Sequence, residues 1–219
     1  MTPVPLQSSD VTRLHDALLA SEHWPDAEPA ASADAVLHWV QTNHRCNSLL
    51  WAQEDLARRT TVADSEIAAN KRAIDRHNQA RNDATERIDE LLLLRLGLID
   101  EASARSDAPQ ATVSAAARLN SETAGSMVDR LSIMSLKVAA MRAQTLRQDV
   151  GAAHRAASAV KLARLQEQRA DLGACLDGLL ADASQGRAYF KVYRQFKMYN
   201  DPRMNPALVS EAAAIAHKR

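Results

Sequence analysis

Few residues in this chain interrupt a helix or form a covalent cross-link. Among 219 residues there are six glycines, seven prolines and two cysteines. The cysteines, Cys46 and Cys175, are isolated and have no metal-ligand spacing around them. Two lone thiols are typical of a reducing cytoplasm and argue against a disulfide framework. We expect both to be small packing residues.

Neither sign of charge is in excess, and apolar runs are short. The 27 Lys and Arg residues balance the 27 Asp and Glu residues. Proteins that bind nucleic acid usually carry surplus cations because they neutralise phosphates, so DNA or RNA is disfavoured as the main partner. The N-terminal segment has no basic region followed by an apolar run, and no apolar run is long enough to span a bilayer. The sequence therefore predicts a cytoplasmic protein without a signal peptide or a membrane span.

Motifs that identify a reaction are also missing. The chain has no Gly-x-Gly-x-x-Gly fingerprint, no P-loop and no Gly-x-Ser-x-Gly elbow. His44, His77 and His154 are scattered, and no His-x-x-x-His or His/Cys cluster is present. The sequence disfavours a Ser or Cys hydrolase and predicts no particular reaction.

Helix-forming residues, in contrast, are abundant. Ala, Leu, Arg, Glu and Gln are frequent, and no segment shows the alternation of β-branched and aromatic residues typical of a strand. Helices are predicted at about Val11–Ala20, Ala35–Arg58, Asp64 or Ser65 to Leu98, Val113–Arg147 and Ala152–Ala183. Such helices with short connections predict an all-α antiparallel bundle of four to six helices. The predicted domains are an N-terminal helix and loop (1–34), the bundle (35–208) and a C-terminal tail (209–219).

Polar side chains occupy helix faces that should be buried. At ~100° per residue, the stripe of Val36, Val40 and Leu50 also holds polar residues. These are Asn43, Asn47, Glu54 and Arg58. The third predicted helix places further polar residues on or beside its inward stripe: Lys71, Asp75, Asn78, Arg81, Asn82, Thr85 and Asp89. In the next helix, Arg130 and Lys137 lie beside a stripe of methionines.

Two interpretations of these inward polar groups stay open. Buried charges are costly unless they are paired, so they could simply fix helix register and the partner in a homodimer. They could instead line an interhelical pocket, whose candidate residues are Glu54, Arg58, Asp75, Asn78, Arg81, Asn82, Asp89, Arg130 and Lys137. Within this set, the oxygen ligands of Glu54, Asp75 and Asp89 would suit a divalent cation such as Mg²⁺. The cations would suit a phosphate or carboxylate.

Every Tyr and Phe of the chain lies within residues 189–199. If this segment is helical, one stripe holds Tyr189, Tyr193, Phe196 and Tyr199, with Lys191, Arg194 and Lys197 interleaved. Such a pattern could stack single-stranded nucleic acid bases. The balanced net charge favours a different interpretation, an aromatic clamp that lies across the bundle.

Five segments resemble the bacterial family called domain of unknown function 4254: HRCNSLLWAQEDLARR, IAANKRAIDRHNQARNDATERID, LNSETAGSMVDRLSIMSLKV, LQEQRADLGACLDGLLAD and YRQFKMYNDPRMNP. The resemblance spans about Ala35 to Leu208. It implies a helical protein of unestablished activity, encoded beside glycosyltransferases of envelope glycan synthesis. Where the family pattern has a His after the LSIMSLK-like motif, this chain has Ala140. The leading hypothesis is therefore a pocket for a phosphorylated or sugar-nucleotide ligand. The alternative is a non-catalytic assembly protein that partners a glycosyltransferase.

Overall fold

A computed structural model describes residues 6–29, 32–196, 198 and 201–216. Within these ranges the chain forms seven helices and two short strands. They are α1 (Ser8–Leu19), α2 (Ala35–Leu56), α3 (Asp64–Arg95), α4 (Glu101–Ala104), β1 (Arg118–Leu119), α5 (Ala124–Leu146), α6 (Ala152–Ser184), β2 (Ala188–Tyr189) and α7 (Pro206–Ala216). The predicted all-α bundle is confirmed. Across the described ranges, none of the helices has both the length and the apolarity that a membrane crossing requires.

Two antiparallel hairpins build the bundle. In the first, α2 and α3 are joined at one end by the ion pair between Asp34 and Arg95. Towards the other end, Asn70 donates a hydrogen bond to Gln53. The second hairpin pairs α5 with α6, and α1 packs against α5, α2 and α6. Because α5 contacts α1, α2, α3 and α6, it is the central helix of the fold.

The hydrophobic core runs between the hairpins. Its fully buried large side chains come from several helices and from the segment after β2: Val11, Val36, Val40, Ile88, Leu92, Leu93, Leu131, Leu176, Leu180 and Phe190. Val11 and its neighbour Leu6 belong to this core, so the N-terminal helix packs as part of the bundle. The division of the chain into a bundle and two terminal segments stays a prediction.

The helix expected at Val113–Arg147 begins only at Ala124, so its predicted start is wrong. Thr123 is the N-cap, and its side chain accepts a hydrogen bond from the Ser126 amide. Upstream, β1 pairs in parallel with β2, with Arg118 opposite Ala188. These tertiary hydrogen bonds hold the backbone extended despite the helix propensity of the alanines.

The aromatic segment is extended, and the expectation of a helix there is wrong. Residues alternate along it, with Ala188, Phe190 and Val192 buried and the side chains between them more exposed. Tyr193 and Phe196 are 51% and 80% exposed, so they form no aromatic stripe against the bundle. The segment nevertheless binds the bundle through Arg194 and Gln195. The predicted contributions of Lys197 and Tyr199 lie outside the described residues.

Arg194 attaches the extended segment to α3. Its guanidinium donates to the carboxylates of Glu86 and Glu90 and to the carbonyl oxygens of Ala104 and Ser106. Hydrogen bonds to charged partners are the stronger ones in proteins, so this attachment is firm. The desolvation of Arg194 is outweighed by the two carboxylates, which raise its pKa.

Candidate functional site

A layer of polar side chains crosses the bundle, and it consists of side chains from α1, α2, α3, α5 and α6. We call it the polar layer. Its members are His15 and Asp16 of α1, Asn43, His44 and Asn47 of α2, Arg81 and Thr85 of α3, Asp129, Ser132 and Ser135 of α5, and Arg169 of α6. Within α3 and α5 the members are three or four residues apart, so each of these helices presents one face to the layer, whereas the adjacent Asn43 and His44 of α2 are about 100° apart around that helix.

Asp129 lies at the centre of this layer. One oxygen of its carboxylate, Oδ1, accepts hydrogen bonds of 2.9 Å from both Asn43 Nδ2 and Asn47 Nδ2. Asn43 also donates to Thr85 Oγ1 at 3.2 Å. The guanidinium of Arg81 lies near the same oxygen, with its Nε 3.8 Å from Asp129 Oδ1. A partly buried carboxylate is thus held by two amides and one nearby cation, as a buried charge requires.

Two histidines stack where α1 meets α2. The ring centroids of His15 and His44 are 4.3 Å apart, and Trp24 stacks on the far side of His44 at 5.4 Å. Burial is the main reason that the pKa of His15 lies well below its usual value, and burial lowers the pKa of His44 to about 4. Both rings are therefore neutral at pH 7. Each Nε2 atom is buried without a hydrogen-bond partner among the described residues.

Ser132 links the histidines to the centre of the layer. Its Oγ lies 2.8 Å from His44 Nδ1 and accepts a 3.0 Å hydrogen bond from Asn47 Nδ2. This hydroxyl and this imidazole are fully buried, so a substrate does not reach them from the surface. We therefore interpret the Ser132–His44 contact as structural rather than as a nucleophile and its base.

A cleft of about 300 Å³ opens beside the polar layer, between α2, α3 and α5. Its inner wall carries Asn47 and apolar side chains from α2 and α5. The full lining is Asn47, Leu50, Trp51, Glu54, Asp55, Arg58, Asn78, Arg81, Ile133 and Leu136. The cleft thus combines one indole ring, two amides, two guanidinium groups and two carboxylates. We call it the α2–α3–α5 cleft.

Arg81 connects the cleft with the polar layer. Its side chain is 28% exposed and lines the cleft, while its Nε is buried and has no hydrogen-bond partner among the described residues. The distance of 3.8 Å to Asp129 is beyond hydrogen-bond range. A buried N–H donor without a partner costs about 1–3 kcal/mol. Because Nε itself is buried, an anionic ligand in the cleft would contact the exposed part of the Arg81 side chain.

Four of the predicted site residues come together at this cleft: Glu54, Arg58, Asn78 and Arg81. Glu54 and Arg58 form an i,i+4 ion pair of 3.2 Å with side chains 49% and 69% exposed. They lie on the rim, whereas the sequence placed them on a buried face. The reason is that the C-terminal end of α2 is largely exposed, as Trp51, Asp55 and Leu56 also show.

The other five predicted residues lie elsewhere. Asp75 is exposed and pairs with Lys71. Asn82 donates to the side chain of Gln195 in the extended segment, and Asp89 accepts a 2.6 Å hydrogen bond from the Gly125 amide. Arg130 and Lys137 line a separate groove between α5 and α6. The interior of the bundle therefore does not gather all nine residues into one pocket.

The three carboxylates expected to bind a divalent cation lie in three separate parts of the structure. Glu54 is on the cleft rim, Asp75 is on the outer surface of α3, and Asp89 is in the core. In the part of the chain that the structure describes, no three His, Cys, Asp or Glu side chains are grouped to hold a metal ion. Burial raises the pKa of Asp89 to about 7, which weakens it further as a cation ligand at neutral pH.

Sequence reasoning missed Asp129, Ser132 and the histidine pair. It placed Asn43 and Asn47 on a buried stripe, and the structure buries both. It treated His44 as one of three scattered histidines, but α1 packs on α2 and stacks His15 on the His44 ring. The two cysteines also differ. Cys46 is buried and its pKa is raised to about 11, first by burial, whereas Cys175 is exposed, so the expectation that Cys175 packs in the interior is wrong.

Comparison with known proteins places this architecture in a family. A family model described as protein of unknown function, DUF4254, matches residues 37–192. No curated protein and no solved structure matches with significance. The matched range contains the whole α2–α3–α5 cleft and every member of the polar layer except His15 and Asp16. Since the match covers more than half of the chain, the protein belongs to the DUF4254 family, whose function is unknown.

Proposed function

We propose that the protein binds a small phosphorylated sugar in the α2–α3–α5 cleft. The observation that carries the proposal is Arg81, a half-buried cation that lines the cleft and whose ion-pair partner Asp129 lies 3.8 Å away, beyond hydrogen-bond distance. Arg58 on the rim adds a second guanidinium. Guanidinium groups bind phosphate oxygens with two donors in parallel, so this pair suits a phosphate.

The rest of the lining suits a sugar. Trp51 is 36% exposed at the cleft, and an indole ring offers an apolar face together with an N–H donor. Asn47 and Asn78 supply amide groups, and Glu54 supplies a carboxylate for hydroxyl groups. The volume of about 300 Å³ is at the lower end for small-molecule sites. A phosphorylated monosaccharide therefore fits better than a complete sugar nucleotide.

We further propose that this ligand belongs to bacterial envelope glycan synthesis, that the protein acts in the cytoplasm, and that it partners a glycosyltransferase. The support for these steps is the family resemblance and the two lone thiols. A second candidate function is a non-catalytic assembly protein. It is favoured by the polar layer itself, because Asp129 already has two amide donors and one cation from the protein. Such a layer can fix helix register without any ligand.

Ligand titration separates the two candidates. We expect hexose phosphates to raise the melting temperature of the wild-type protein, and inorganic phosphate to do so more weakly. Arg81→Gln should weaken binding by about 10- to 100-fold, since a hydrogen bond to a charged group contributes about 1.5–3 kcal/mol. Isothermal titration calorimetry, with and without Mg²⁺, measures this change.

Arg76→Gln is the matched control, because Arg76 is exposed on the same helix and does not line the cleft. It should bind like the wild type. If no hexose phosphate or sugar nucleotide shifts the melting temperature, while Arg81→Gln lowers it in the absence of ligand, the assembly function is correct and the ligand proposal is wrong.

A further inference from the structure

Asn47 has both N–H bonds of its side-chain amide directed into the protein. The residue is 4% exposed and lines the α2–α3–α5 cleft. Its Nδ2 donates to three acceptors of the polar layer, which are Asn43 Oδ1 at 3.2 Å, Asp129 Oδ1 at 2.9 Å and Ser132 Oγ at 3.0 Å. An amide nitrogen carries two N–H bonds, so these three acceptors use both of them.

The carbonyl oxygen of the same amide, Oδ1, is in a different situation. It accepts no hydrogen bond from a residue that the structure describes. Nor is it sealed in the interior, because the fully buried side-chain polar atoms without a partner in the described chain are His15 Nε2, His44 Nε2 and Arg81 Nε. Since Asn47 lines the cleft, its Oδ1 is accessible from there.

The amide group cannot turn over to offer an N–H to the cleft. A half-turn would place Oδ1 of Asn47 against Oδ1 of Asp129, and two oxygen acceptors form no hydrogen bond. The neighbouring Asn43 cannot adapt, because its own Nδ2 already donates to Asp129 Oδ1 and to Thr85 Oγ1. Its oxygen therefore needs the donor that Asn47 supplies. The polar layer thus fixes the polarity of the cleft at this point as a hydrogen-bond acceptor.

We infer that Asn47 Oδ1 accepts a hydrogen bond from a free hydroxyl group of the ligand, which makes Asn47 a specificity-determining residue. The inference rests on the proposed function, in which Arg81 contacts the phosphate group. Asn47 Nδ2 and Arg81 Nε lie 2.9 Å and 3.8 Å from the same oxygen of Asp129. The two side chains are therefore neighbours on the cleft wall, and one monosaccharide phosphate can contact both.

A nearly buried acceptor discriminates between ligands more strongly than an exposed one. A ligand without the hydroxyl group would cover Asn47 Oδ1 and leave it unpaired, and this penalty is the reason that polar sites reject analogues lacking the group. The carboxylate of Glu54 differs, because its side chain is 49% exposed and pairs with Arg58. Water can replace a missing hydroxyl group there. We therefore expect discrimination at the one sugar position that contacts Asn47.

Monodeoxy and monodeoxyfluoro analogues of glucose 6-phosphate and mannose 6-phosphate test this inference in the wild-type protein. Fluorine is similar in size to a hydroxyl group but donates no hydrogen bond. At one ring position, hydrogen or fluorine in place of the hydroxyl group should raise the Kd at least about tenfold, as measured by isothermal titration calorimetry. The same replacement at the other positions should raise it less than about threefold.

Asn47→Leu and Asn47→Ala should abolish the discrimination, so that the hydroxyl and fluoro ligands bind within about twofold of each other. The readout is the ratio of two Kd values in one protein, which a partial loss of stability does not change. Gln53→Ala is the matched control, because it removes a side-chain amide from the same helix but outside the cleft lining. It should keep the wild-type ratio.

Two results would overturn the inference and leave the proposed function standing, provided that Arg81→Gln still weakens binding. One is equal affinity for the hydroxyl and fluoro ligands at every ring position of the wild type. The other is discrimination that survives in Asn47→Leu, which would assign the hydroxyl group to a different side chain. If no hexose phosphate binds at all, the proposed function is wrong and this inference is wrong with it.

Discussion

Gly125→Ala should lose about 3–5 kcal/mol of the free energy of unfolding, through overpacking and a broken buried hydrogen bond. Gly125 is in the first turn of α5, where that helix meets α3. A Cβ at this position would overlap the carbonyl oxygen of Thr85 and lie 2.9 Å from Asp89 Cγ. The Gly125 amide also donates to Asp89 Oδ1 at 2.6 Å. A backbone carbonyl cannot move aside as a flexible side chain can, so α5 must shift.

Two other glycines provide comparisons for the loss of stability expected from Gly125→Ala. At Gly173 a Cβ would lie 2.9 Å from Ser8 Oγ, which is the end of a small side chain, so Gly173→Ala should lose less than Gly125→Ala. At Gly178 a Cβ meets nothing within 4 Å. Gly178→Ala should therefore gain about 0.5–1 kcal/mol, because alanine is the better helix former. Urea denaturation followed by circular dichroism measures all three. Equal stability of the Gly125 and Gly178 variants would contradict the packing of α5 on α3.

Local sequence signals were sufficient where a helix is bounded by a glycine or a cap. The sixth helix was expected at Ala152–Ala183 and is observed at Ala152–Ser184, because Gly151 separates it from the preceding turn. Local sequence signals were insufficient where tertiary contacts override helix propensity. Residues 113–123 are rich in alanine, but the amides of Arg118 and Asn120 donate to the carbonyls of Arg187 and Tyr189 in the β2 region. No local sequence pattern identifies a pairing partner about 70 residues away in the chain.

The aromatic segment carried two periodicities at once. The spacing of Tyr189, Tyr193 and Phe196 suits a helix, whereas Ala188, Phe190 and Val192 alternate with more polar residues as a strand does. The structure follows the alternation. The position of Lys191 between Phe190 and Val192 was the available signal, because a helix would have left that cation on the edge of a buried face.

Only part of the polar layer could be predicted from the sequence. Asn43 and Asn47, four residues apart among apolar neighbours, identified one buried polar face, and the structure confirms that these two side chains are buried. Asp129 was missed because α5 contacts α1, α2, α3 and α6 and therefore buries more than one face. When a helix has two buried faces, its hydrophobic stripe no longer shows which polar residues point inwards.

Acid should weaken the fold through the histidine pair, and the buried Asp89 should oppose this effect. His44 has a pKa of about 4 in the folded state against 6.5 when unfolded, and the pKa of His15 is also lowered, in both cases chiefly by burial. Between pH 6 and 5 the unfolded chain binds these two protons and the folded chain does not, so stability falls as the pH falls. Asp89 behaves in the opposite way, because burial raises its folded pKa to about 7 from 3.8. Between pH 5 and 6, Asp89 therefore holds a proton in the folded chain and not in the unfolded chain.

The titration of His15, His44 and Asp89 predicts how steeply the free energy of unfolding depends on pH in the wild type and in each variant. Each proton of difference changes the free energy of unfolding by about 1.4 kcal/mol per pH unit. From His15, His44 and Asp89 together, with a net difference of about one proton, the wild type should gain about 1.4 kcal/mol per pH unit from pH 5 to 6. Relative to the wild type, Asp89→Asn should raise the slope by about 1.4 kcal/mol per pH unit, and His44→Gln should lower it by about the same amount. His77, whose pKa is also lowered chiefly by burial, adds a contribution of the same sign to every variant. Urea denaturation at a series of pH values measures the slopes, which stay informative even if a variant is less stable. Identical slopes in the three proteins would show that His44 and Asp89 titrate in water, and the histidine stack would then not form the interior of this bundle.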